Sequence, residues 1–67
     1  MHPMQELAER LQDRVPDMPT DIASVCALLV ERQALVSDRE LFLIETLAEE
    51  QGVGDEHLDP VRARRLP

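Results

Sequence analysis

The residue types best suited to nucleophilic or acid–base chemistry are sparse in this chain: one cysteine, Cys26, two serines, Ser24 and Ser37, and two histidines, His2 and His57. Catalysis by such groups needs a nucleophile, a base within reach and a third group that orients the base. Cys26 lies among Ile22, Val25, Leu29 and Val30, so its thiol is expected in an apolar interior, with a raised pKa and little reactivity. Ser37 is accounted for by a helix cap, and Ser24 has no histidine at helical spacing. The two imidazoles lie near opposite ends of the chain. Asp55, Glu56, His57 and Asp59 offer oxygen and nitrogen donors, but without the loop spacing of a calcium site or the paired Cys/His spacing of a zinc site. Two glycines are too few, and wrongly placed, for a phosphate-binding loop. The expectation is a protein that is not an enzyme, with no catalytic residues, metal, cofactor or small-molecule substrate.

Binding chemistry is better represented. Residues 1–61 hold fourteen acids against four arginines, a balance of −10, and Arg62, Arg64 and Arg65 follow together. Such a surface repels phosphate backbones and anionic lipid, so neither direct nucleic-acid nor membrane binding is expected. The terminal arginines are expected over acids such as Glu45, Glu49 and Glu50, or in solvent. Phe42, the only aromatic residue, falls about 100° from Leu41 on a helical wheel, between Arg39, Glu45, Thr46 and Glu49. Either the first helix or the C-terminal segment covers the ring, or it is an exposed anchor rimmed by charge. Leu28 and Leu35, seven apart and outside the main apolar stripe of their helix, are candidates for a second seam or a cover for the first helix. The candidate partner-binding residues are therefore Phe42, Glu45, Glu49, Arg39, Leu28 and Leu35.

These side chains must be positioned by helices, because the apolar residues recur at intervals of three and four. Met4, Leu7, Ala8, Leu11 and Val15 make one stripe of a helix over about 3–15, with Glu6, Glu9, Arg10, Asp13 and Arg14 facing water. Val15-Pro16 and Met18-Pro19 interrupt it. A second helix is predicted over 20–34, capped by Thr20 and apolar around most of its circumference. It should therefore be the central element. A third, over 38–51, opens with a capping box of Ser37 and Glu40, stapled by Val36 and Leu41, and closes at Gly52. The short connection at 35–38 makes helices two and three antiparallel neighbours. Asp59-Pro60 suggests a short final helix over 60–65, and a frayed tail over 52–67 fits as well.

The expected fold is all-α: a single small three-helix domain spanning 1–67, built on an antiparallel hairpin, with a short C-terminal helix or tail. A core of this size supplies only roughly 3–5 kcal/mol of net stability, so association is expected, and a homodimer in particular. A lone cysteine fits a reducing, cytoplasmic setting, and no apolar run of membrane-spanning length occurs. The expected function is a non-catalytic protein–protein interaction module that binds through helix faces. Alternatives are a small acidic regulator or inhibitor, of the antitoxin, anti-sigma or phage-inhibitor kind, occupying the basic site of a nucleic-acid-binding protein, and an accessory subunit of a larger enzyme.

Overall fold

A computed structural model describes residues 2–67, and it is all-helical: α1 (Pro3–Arg10), α2 (Ile22–Glu31), α3 (Asp38–Gln51) and α4 (Asp55–Arg62). The local start and stop signals explain most of these bounds. His2 caps α1 by accepting the Met4 amide on Nδ1, with Pro3 at the first helical position. Ser37 and Glu40 form the full capping box of α3, and Gly52 ends it with φ 70°, a left-handed turn that an L side chain resists.

Elsewhere tertiary contacts move the ends. α1 gives way at Leu11 to turns instead of running to residue 15, although Leu11 and Val15 stay fully buried on its stripe. The Arg14 guanidinium donates to the free carbonyl of Arg10 at 2.6 Å and so stabilises the early ending. The N-cap of α2 is Asp21 and not Thr20: its carboxylate accepts the Ser24 amide at 3.0 Å and the Ser24 hydroxyl at 2.7 Å. The helix stops at Glu31, short of 34, because Gln33 enters the left-handed region at φ 54° and the Ala34 amide bonds back to Leu29. The short C-terminal helix is present as α4 over 55–62, beginning five residues before the 60–65 expected. Pro60 lies inside it, and Asp59 pairs with Arg62 instead of capping. The proline costs one helical hydrogen bond, against roughly 1.5–3 kcal/mol for burying each of Leu58 and Val61.

α2 and α3 are antiparallel neighbours. Gln51, the last residue of α3, accepts the amide of Ile22, the first of α2, at 2.8 Å, while the short connection joins the opposite ends. α1 packs on α3, and α4 packs on both α2 and α3. The element in contact with all the others is therefore α3, not α2. The wide apolar circumference of α2 is met by α3 on one side and α4 on another, with Ala27 and Val30 left at the surface. The buried residues form one cluster drawn from all four helices and the connections. The radius of gyration, 10.4 Å, is near the ~11 Å of a compact chain of this length.

Two polar arrangements lock the connections. Arg14, expected in water, reaches inward and grips Glu40 with two bonds, of 2.7 and 2.9 Å, while also donating to the Leu35 carbonyl. Glu40 is only 5% exposed, and its capping bond to the Ser37 amide completes its shell. At the other end of the chain, Val36 and Arg65 form a parallel bridge: the Val36 amide donates to Arg64, and the Leu66 amide donates to Val36. The Arg64 side chain adds bonds to the carbonyls of Gln33 and Ala34.

Candidate functional site: the outer face of α3

Because α3 has neighbours on both flanks, its outward arc is narrow, and at 100° per residue Phe42 and Glu49 fall within it. Phe42 is 56% exposed, so neither the first helix nor the C-terminal segment covers the ring. It is also oriented. The Arg39 guanidinium carbon lies 5.5 Å from the ring centroid, within cation–π range. Arg39 is itself held by a two-point pair with Glu6 of α1, both bonds 2.9 Å. Glu6 also accepts from Arg10 at 3.1 Å, and the Arg39 hydrogen bond, ahead of that of Arg10, holds its carboxyl below the ordinary range.

On the α4 flank of the ring the bridge repeats with the signs exchanged. Glu45 of α3 accepts from Arg62 Nε at 2.9 Å and Nη2 at 2.8 Å, and the remaining donor of Arg62 meets Asp59 at 2.7 Å and Asp55 at 3.2 Å. Phe42 thus stands between two interhelical ion-pair bridges. Thr46 donates back to the Phe42 carbonyl at 2.9 Å, and Glu49 is exposed, with no cation partner among the described residues.

Of the six expected residues, four share this face: Phe42, Arg39, Glu45 and Glu49. Leu28 and Leu35 do not form a free seam. Leu28 is partly buried against the core, whereas Leu35 is 44% exposed in the α2–α3 connection, its carbonyl bonded to Arg14. The terminal arginines are spent within the chain. Arg62 lies over Glu45, Arg65 over Asp38 at 3.4 Å, and Arg64 on backbone carbonyls.

Of the groups with catalytic potential, Cys26 and His57 line one groove between α2 and α4, while Ser24 bonds to Asp21 and Ser37 caps α3. Cys26 is 2% exposed, and burial pushes its thiol up to about 11. Asp55 and Asp59 turn to Arg62, leaving Glu56 beside His57 at 3.8 Å. Among the described residues no group of three His, Cys, Asp or Glu side chains is arranged to hold a metal ion, and no helix is long and apolar enough to cross a membrane.

Sequence reasoning missed two features. One is the Arg14–Glu40 grip, for which Glu40 of the capping box was the only visible half. The other is an apolar groove of about 340 Å³ between α2 and α4, which was hidden because the start of α4 was not legible. Compared with protein-family models, with curated proteins and with solved structures, the chain gives no match.

Proposed function

We propose that the protein is a non-catalytic interaction module that docks on another protein through the outer face of α3, with Phe42 as the anchor. The observation that carries this reading is the exposure of the only aromatic ring in the chain on a face held by ion pairs from both sides. A large side chain that is already oriented loses little rotamer freedom on docking, which is why such residues concentrate binding energy. Glu49, exposed on the same face with no cation partner among the described residues, suits a partner with a basic surface.

A second reading, an acidic regulator that occupies the cationic site of its target, draws on a different observation. Every arginine bonds within the chain, whereas Glu9, Glu31, Glu49 and Glu50 meet no cation among the described residues. The surface field is then set by acids. The two readings share a partner type and differ in what dominates affinity.

Dissociation kinetics of the partner captured from the native lysate separate them. Anchoring predicts that Phe42→Ala speeds dissociation at a cost of about 2 kcal/mol or more while the melting temperature stays nearly unchanged. Charge occupation predicts that Glu49→Arg slows association and flattens its salt dependence, with Phe42→Ala nearly silent. A collapsed melt in Phe42→Ala would remove the anchor reading. Sedimentation equilibrium tests self-association, whose physical motive is smaller now that α4 covers part of α2.

A further inference from the structure

A second surface lies between α2 and α4, separate from the α3 face and independent of the reading given to it. Its apolar lining comes from Ala27 and Val30 of α2 and Pro60 of α4, with Cys26 beneath. Glu31 of α2 and Glu56 and His57 of α4 complete the lining. α4 divides the two surfaces: Arg62, which also donates to Asp55 and Asp59, joins it to Glu45 of α3, while His57 and Pro60 line the groove with α2.

The electrostatics of the groove select its occupant. Among the described residues no arginine pairs with Glu31, and Glu56 has only the neighbouring imidazole, because all seven arginines are engaged elsewhere. An apolar lining that includes two carboxylates engaged by no arginine is complementary to an apolar side chain carried between cations. Phosphate, nucleic acid and anionic lipid are opposed by the same carboxylates and by the net charge of −7. A second copy of the chain brings that same charge, and its arginines are already paired. We propose that the α2–α4 groove docks a segment of another protein that presents a leucine-like side chain flanked by arginine or lysine.

The test is a titration of the ¹⁵N-labelled full chain with a synthetic peptide that holds a leucine pair between arginine pairs, followed by amide chemical shifts. The expected result is a saturating perturbation centred on Cys26, Ala27, Val30, Glu31 and His57, weakened at least threefold by raised salt. Replacing the peptide arginines by citrulline, which keeps shape and removes charge, should weaken binding at least tenfold. Ala27→Arg, at an exposed position, should do the same. Should that variant fold poorly, Glu31→Gln combined with Glu56→Gln leaves the apolar floor intact and should weaken binding at least fivefold. Phe42→Ala should have no effect. The proposal is overturned if the citrulline peptide binds equally well, if the perturbations centre on Phe42 or scatter over all acidic faces, or if millimolar peptide moves nothing.

Discussion

At the scale of single residues, the Arg14–Glu40 grip is the most consequential polar contact in the fold. Burial pushes the Glu40 carboxyl up, but the Arg14 hydrogen bonds, the Ser37 amide and the charge of Arg14 together outweigh it, so its pKa lies below the ordinary value. Removing either partner strands the other beneath the surface. Glu40→Ala and Arg14→Ala should each destabilise by about 3 kcal/mol, the low end for a buried pair because a quarter of the Arg14 side chain remains in water. The double variant should cost far less than the sum of the singles in a denaturant-melt cycle, whereas additive losses would mean that the two side chains act separately. In the sequence this contact was illegible for a physical reason: Arg14 falls on the polar side of the helix expected over 3–15, and only the turns that replace that helix from Leu11 bring it inward. The direction of Phe42, by contrast, follows from spacing alone. Whether a neighbour would cover it depended on where α1 and α4 lie, which no local pattern records.

Among elements, α3 was the most legible because both of its ends are decided within a few residues, by Ser37 with Glu40 and by Gly52. Ser37→Ala should therefore cost roughly 0.5–2 kcal/mol, read from the melt, with the fold intact. An unchanged melt would mean that the cap contributes nothing. α2 ends differently. Its left-handed residue is Gln33, where glycine would sit without steric cost, and Gln33→Gly should stabilise by up to about 1 kcal/mol. Loss of stability in that variant would show that the Gln33 side chain contributes more than its backbone strain costs. The sequence placed the end of α2 three residues too late because glutamine gives no stop signal. It hid α4 behind Asp59-Pro60, a strong cap pattern that outweighed the single three-residue apolar spacing of Leu58 and Val61. The width of the apolar face on α2 was visible, but width does not tell which helix has the most neighbours; that place went to α3.

For the molecule as a whole, the carboxylates set the pH range of stability. The pKa values of Glu6, Asp13, Asp17, Asp21 and Glu40 are all lowered, each by a hydrogen bond or charge that favours the ionised form. A group depressed in the folded state binds its proton more tightly when unfolded, so its contribution is complete above the unfolded pKa and is lost as pH falls through the folded one. Thermal melts should be level from neutrality to about pH 5 and should fall steeply below the ordinary carboxylate range of about 4. A melting temperature that held to pH 3 would show that these ionic contacts contribute little. Salt should act more weakly, since it screens the exposed Arg39–Glu6 and Arg62–Glu45 bridges but hardly reaches Glu40.

The order of the helices along the chain has a consequence for synthesis. α4, which covers one flank of α2, comes after the other three helices in the chain and so leaves the ribosome after them, and the strap from Arg64 to Leu66 that closes on Val36 follows it. Until Leu58 and Val61 emerge, a nascent chain carries α2 with that flank bare, held by α3 alone. Chains interrupted before α4 are thus marked by an open apolar flank, the kind of surface that chaperones and proteases recognise.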